Sequence, residues 1–383
     1  MQKLEQYRLI NRRNSSIELL KVVGIILIVI SHVVQTLHSN NDYVIANDYI
    51  LDISMATRNI QQLILTILRY SGVLGNSIFF ICSAWFLLDN DKVDKKKILH
   101  MLIDVWVISI TILIAVYTIR SGNLEIKLII QQILPTTFEN NWYITCYLLF
   151  YPLHPFLNWL IKSMEQKTLL KSTLTLLFLY VCVNYVLPGH FFSSRIILWI
   201  TIYFAIAYMK YYLVDLSSDV RFNILLVGIG FVGNIGIVCL TNFLGLRFEI
   251  FSDKLLRWNS NYSPFLLLMA VSMFNVARSI RFENNIVNYI SSLSLLIYIF
   301  HENLLLRTFY RPQMWDYVYK HFGYEHILIW TFLLVVLVFS FGLITSIIYR
   351  NTMEKIVTII CDWLYPILQK IYKKIESTIM RFH

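Results

Sequence analysis

Residues that build loops are scarce in this chain. Its 383 residues include 12 glycines and 7 prolines, where average usage would give roughly 27 and 19, which leaves little room for long loops or linkers. Charge is thin as well: Asp, Glu, Lys and Arg make up 15% of the sequence, against about 25% in ordinary soluble domains. Acidic residues are the rarer kind, 23 against 33 basic ones. The five cysteines, Cys82, Cys146, Cys182, Cys239 and Cys361, share no close spacing, so they imply neither a disulfide framework nor a metal site. No internal repeat or low-complexity segment is evident, and no small-residue cleavage site follows the first apolar run, which therefore reads as an uncleaved helix.

What is plentiful is apolar surface. Hydrophobic residues make up 57% of the chain and the mean hydropathy is +0.61, beyond the roughly 45–50% apolar content of soluble domains. The 24 Tyr, 25 Phe and 9 Trp suit a protein in which many helix ends meet membrane interfaces. Runs long enough to cross a bilayer fall at about 17–37, 68–88, 98–119, 142–161, 168–187, 194–213, 221–243, 262–278, 286–306 and 327–349, with 124–138 as a half-inserted helix. The expected fold is all-α: a polytopic integral membrane protein with about ten transmembrane helices. An even number puts both termini on one side. Roughly two thirds of the Lys and Arg lie on the side of the N-terminus, Lys95–Lys97 and Lys370–Lys374 among them, so both termini are expected to be cytoplasmic. The net charge of +10 is read as orientation rather than nucleic-acid binding, because no basic domain stands apart.

The first run carries the most information. Ser15 and Glu18 have capping-box spacing. Lys21 and His32 interrupt an otherwise apolar helix, with ten residues between them, so the imidazole lies roughly 16 Å further along the axis. A titratable ring at that depth is a site candidate by default. In the ninth run, Tyr298 is followed by His301, Glu302 and Asn303. His301 lies as far into its run as His32 does in its own, and both helices run from inside to outside, so the two imidazoles are expected at one depth.

A basic residue, ten residues and a histidine, following Arg12-Arg13-Asn14-Ser15-Ser16-Ile17-Glu18-Leu19-Leu20, resembles acyltransferase family 3, the integral-membrane O-acyltransferases of cell-surface polysaccharides. The Tyr298-to-Asn303 stretch is similar to the Wzy-like branch of that family. Trp142-Tyr143 with Pro155-Phe156-Leu157-Asn158 resembles a further family segment. Phe79-Phe80 with Ser83-Ala84-Trp85 departs from the family's Ser-Gly-aromatic signature, and Lys95–Lys97 and His100 stand where the family often has an arginine pair.

The resemblance implies a membrane acyltransferase domain over residues 1–350; beyond it, apolar residues at helical spacing from Ile356 to Ile371, with Lys370, Lys373 and Lys374 near the end, read as an amphipathic basic tail over 351–383 on the inner leaflet. It implies transfer of an acyl group, most simply acetyl, from cytoplasmic acyl-CoA to a hydroxyl of a surface polysaccharide or its lipid-linked precursor, in a multi-pass protein of the bacterial plasma membrane. His32 is the expected general base, supported by Glu302 or His301 as a carboxylate supports a catalytic imidazole. Arg13, Lys21, Lys96 and Lys97 are expected to hold the CoA phosphates. Arg307, Trp142 and Tyr143 are expected substrate contacts, with Arg311, Trp315, Tyr317, Tyr319 and His321 as further saccharide contacts. His154 is read as pore lining or structural. No metal and no bound cofactor are expected, acetyl-CoA being a substrate; partners are acyl-CoA, saccharide and membrane lipid, with no nucleic acid. The rivals are a glycosyl-transferring polymerase, disfavoured by short external loops, and a transporter or flippase using His32, Glu302 and Lys21 for proton coupling, disfavoured by the lack of repeat symmetry.

Overall fold

A computed structural model describes residues 14–37, 51–187 and 194–379, all helices, turns and loops with no strand among them. In chain order the helices of eight or more residues are α1 (Ser15–Gln35), α2 (Ile60–Arg69), α3 (Ser71–Leu87), α4 (Lys95–Ile119), α5 (Ile126–Ile133), α6 (Trp142–Phe150), α7 (His154–Ser163) and α8 (Gln166–Leu177). They continue with α9 (Arg195–Tyr212), α10 (Val220–Gly245), α11 (Pro264–Ser279), α12 (Asn285–Ser292), α13 (Ser294–His301), α14 (Arg311–Phe322), α15 (Ile327–Thr352) and α16 (Glu354–Ile379).

Six segments are long and apolar enough to cross a membrane: α1, α2 with α3, α4, α8 with its extension to Val186, α10 and α15. The bent pair α6–α7 makes a seventh, with a 53° break where Pro152 and Pro155 remove backbone donors. The other expected runs have identifiable reasons for falling short of that test. Helix α9 carries Arg195 and Lys210 near its ends, α11 has 16 residues, and the ninth run is broken at Leu293 into two helices of 8 residues each. Apolar side chains face outward along α10 and α15, as at Leu225, Val232, Phe332 and Leu337. Such a surface is stable only against lipid.

Helix α1 is the central strut. The expected capping box does not form: Asn14 is the N-cap, its side chain accepting from Ser16 N–H. Ser15 is drawn instead to Asn288 and the Asn284 backbone, and Glu18 to Lys21 and Ser291, so the two polar groups tie α1 to both ends of α12. Against α3 the approach is close because two glycines face α1. A Cβ on Gly75 would meet the Gly24 carbonyl and come within 2.7 Å of Ile28 Cγ1, and one on Gly72 would come within 2.6 Å of Ser31 Cβ. The family-like small residue Ala84 is not where this approach occurs. Gly75→Ala is expected to cost about 1–3 kcal/mol through overpacking, read as a lower melting temperature of the purified protein in detergent. An unchanged melting temperature would show that the two helices can separate freely.

At the other end of α1, Trp315 is fully buried and its indole N–H donates to the Val33 carbonyl at 2.9 Å. This pins α14 over the end of α1. The loop after α3 is tied down by Asp89–Lys210 (2.6 Å) and Asp91–Lys162 (2.8 Å), and the Lys162 and Asn158 hydrogen bonds hold the Asp91 carboxyl below its usual range. His154 is structural: it is fully buried, between the Tyr151 and Asn90 carbonyls. Helix α16 occupies most of the stretch read as the tail. It buries Val357 and Cys361 in the core cluster that includes the buried face of α4, and leaves Ile359 and Trp363 exposed.

Candidate functional site

The last turn of α1 and the end of α13 bring three polar side chains together. His32 Nδ1 lies 2.9 Å from Glu302 Oε2 and 3.0 Å from His301 Nε2, with the two imidazoles stacked at 5.2 Å. His301 Nδ1 lies 2.7 Å from the Ile297 carbonyl. That oxygen can only accept, so Nδ1 carries the proton and Nε2 is an acceptor. Two acceptors, a carboxylate oxygen and an imidazole nitrogen, therefore share the His32 Nδ1–H. The tautomer this fixes leaves His32 Nε2 as the ring's free lone pair.

Glu302 is clamped. Its Oε1 accepts from Arg307 Nη1 at 2.8 Å and its Oε2 from Arg311 Nη2 at 2.9 Å, and Arg311 also donates to the His301 carbonyl at 2.8 Å. The two arginines stand at either end of a wide π turn, Leu306–Tyr310, which leads into α14. A buried carboxylate held by two guanidiniums is stable only because every oxygen has a partner. Beside it Asn303 and Gln132 exchange amide hydrogen bonds at 3.1 and 3.3 Å. His301, Glu302 and Arg311 are buried, whereas 12% of the His32 side chain is accessible. His32 is thus the member of the group that a substrate can reach.

A third arginine completes the surroundings. Arg69, at the end of α2, donates to Ser31 Oγ, which donates in turn to the Arg69 carbonyl at 2.7 Å. It pairs with no carboxylate among the described residues, yet lies within electrostatic reach of His32 and Glu302. Among the described residues, three guanidiniums stand against one carboxylate, which makes the site favourable for negative charge. His32, His301 and Glu302 offer donor atoms within 4.8 Å of one another, a spacing a metal ion could use. The chemistry does not fit one: both Glu302 oxygens are taken by arginines, and the surplus positive charge opposes a dication.

The other expected residues are distributed more widely. Tyr143 packs between Trp199 and Tyr298, 5.0 and 6.2 Å between centroids, and Tyr298 in turn meets the His301 ring at 5.9 Å. Trp142 stands at the mouth of a separate cleft of about 710 Å³ with Arg195 over its ring at 4.4 Å. Arg307, expected to meet substrate, is turned to Glu302. Arg311 and Trp315 are not saccharide contacts: both are buried, the first on Glu302 and the second on Val33. Tyr317 and His321 stack on each other at 4.2 Å on the exposed face of α14.

The lysines expected to hold CoA have separate partners. Lys21 Nζ sits 3.3 Å from Glu18, Lys96 Nζ 2.5 Å from Asp362 on α16, and Lys97 Nζ 5.5 Å above the Tyr151 ring. Arg13 lies outside the described residues. The sequence reading missed Arg69, although an arginine inside the 28-residue apolar stretch Ile60–Leu87 is the kind of intramembrane charge that marks a site.

Comparison with known proteins gives one finding. A family model described as an acyltransferase domain, that of acyltransferase family 3, matches residues 14–350, a stretch that begins at the N-cap of α1 and ends in the last turn of α15. No curated protein and no solved structure gave a match.

Proposed function

The chain belongs to acyltransferase family 3 and is a membrane acyltransferase, and from that premise we propose that it is an O-acetyltransferase taking acetyl from cytoplasmic acetyl-CoA to a hydroxyl of a cell-surface polysaccharide or its lipid-linked precursor. With it go ten membrane crossings, both termini in the cytoplasm and a place in the bacterial plasma membrane. The observation that carries the reading is the His32–Glu302 pair, in which a clamped carboxylate holds Nδ1–H and leaves Nε2 its lone pair, on a side chain that is 12% accessible. That is the arrangement a general base needs.

In this mechanism the acceptor hydroxyl gives its proton to His32 Nε2 as its oxygen bonds to the thioester carbonyl carbon. The C–S bond breaks, and the departing thiolate takes the proton back from the imidazolium, leaving the acetyl ester and CoA thiol. Glu302 keeps the ring oriented and balances its transient charge. Arg69, which pairs with no carboxylate among the described residues, favours the negative charge that develops on the carbonyl oxygen. Lys21, Lys96, Lys97 and Arg13 would meet the CoA phosphates from the inner face, exchanging present partners such as Asp362 for phosphate oxygens, and Trp142, Tyr143 and Arg307 would meet the saccharide.

The test is transfer of label from radiolabelled acetyl-CoA into glycan by membranes carrying the protein. Label in the glycan is expected. Wild-type membranes that transfer none, while still moving saccharide across the bilayer, would replace this reading with a transporter or flippase coupled to protons. That alternative requires Glu302 to cycle, and both its oxygens are engaged by arginines.

A further inference from the structure

Directly below the histidine pair lies a cavity of about 60 Å³ between α1 and α13, reaching α3 at Asn76 and Phe79. Ile25 and Ile28 form its α1 wall. They stand seven and four residues before His32, so all three share one helical stripe. On the opposite wall Ser294 and Tyr298 stand seven and three residues before His301, again on one stripe. The cavity is thus the continuation of the site toward the N-terminal ends of both helices.

Its walls are apolar except for the Asn76 amide and the hydroxyls of Tyr143, Ser294 and Tyr298. Ser294 is 3% and Tyr298 5% exposed; Ser294 Oγ has no partner, and the Tyr298 hydroxyl oxygen faces the Tyr143 backbone N–H, which leaves its proton without an acceptor. The protein's other buried helical hydroxyls divide: Ser16, Thr173 and Ser272 also lack a partner, whereas others pair within their own helix. Ser77, Thr331 and Ser346 each donate to the carbonyl four residues back, at 2.6–2.9 Å. Ser294 opens its helix after the break at Leu293, and the Ile290 carbonyl four residues back accepts the Leu293 N–H. A buried hydroxyl without a partner costs about 1–3 kcal/mol. Ser294 without a partner and Tyr298 without an acceptor for its proton, lining one small cavity next to a base, mark a place where an acceptor oxygen belongs.

We infer that this cavity seats the acyl group of the donor thioester, with the Ser294 and Tyr298 hydroxyls donating to its carbonyl oxygen. The inference rests on the acyltransferase reading and deepens it by naming the donor class, a short-chain acyl thioester. Each water-sized group needs about 10–15 Å³ in this measure, so the space takes roughly four to six non-hydrogen atoms. Acetyl with its sulfur and the adjoining methylene fills it; hexanoyl overfills it against Ile25, Ile28 and Phe79. As the acceptor oxygen bonds to the carbonyl carbon and the thiolate leaves, negative charge collects on the oxygen that the two hydroxyls hold.

The experiment compares acetyl-, butyryl- and hexanoyl-CoA as donors with the full-length protein in membranes. Wild type is expected to transfer acetyl at least 100-fold faster than hexanoyl, and Ile28→Ala to narrow that ratio at least tenfold. Phe79→Leu, on the partly exposed wall, gives the same readout should Ile28→Ala fail to fold. Tyr298→Phe is expected to lower kcat for acetyl transfer at least tenfold while leaving thermal stability nearly unchanged, since the hydroxyl it deletes meets only the Tyr143 backbone N–H and donates to nothing in the protein. A merely structural tyrosine would show the reverse. Equal wild-type rates for acetyl and hexanoyl, or a Tyr298→Phe variant with unchanged kcat, would overturn the assignment while leaving the acyltransferase reading intact. Absence of transfer from every donor would overturn both.

Discussion

His32→Ala is expected to lower kcat for acyl transfer by about 10²–10⁴-fold, the range that a positioned general base supplies, with KM for the donor nearly unchanged. The fold should survive the change. Glu302 keeps both of its arginines when His32 is lost, so no buried charge is stranded, and the imidazole is the accessible member of the group rather than a core filler. The measurement is label transfer at matched protein levels in membranes. A variant that retained wild-type kcat would remove His32 from the chemistry, whatever its position.

Glu302→Ala is expected to act on stability first. The carboxylate is 5% exposed and holds Arg307 at 2.8 Å and Arg311 at 2.9 Å. Removing one partner of a buried ion pair costs about 3–5 kcal/mol, because the charges left behind are uncompensated. The purified variant should melt at a clearly lower temperature in detergent and be inactive. Pairing Glu302→Ala with Arg311→Met separates the two effects: it removes one stranded charge, so stability should partly return while activity does not, the non-additivity expected of contacting groups. If the single variant melted like wild type, the clamp would hold no stabilising charge pair.

Local pattern and depth disclosed the centre of the site from the sequence. Both histidines interrupt apolar runs at equal distance from the run's start, and in the structure their nitrogens meet at 3.0 Å. Local pattern could not say which long-range partner wins. Ser15 and Glu18 satisfy the spacing of a capping box, but each finds a better partner on α12, and Asn14 takes the cap. Lys96 reads as a free surface cation until α16, more than 260 residues later, presents Asp362. Arg311 and Trp315 read as external because the ninth run ends before them. The chain then turns back and buries both, which no periodicity announces. Arg69 lies at the edge of the second expected run, and nothing local in the sequence links it to the histidines.

The wide turn at Leu306–Tyr310 bears on how this protein can change over generations. A π turn winds more residues into its circuit than an α turn, and here it separates the two guanidiniums that grip opposite oxygens of one carboxylate. Deleting a single residue from it would let the helix return to regular winding and swing Arg311 by about 100° around the axis, away from Glu302. Substitutions that keep the winding leave the grip in place. Along this short piece of chain, inheritance is constrained in length more tightly than in lettering, and a frame-preserving deletion of one codon would do more damage than most missense changes.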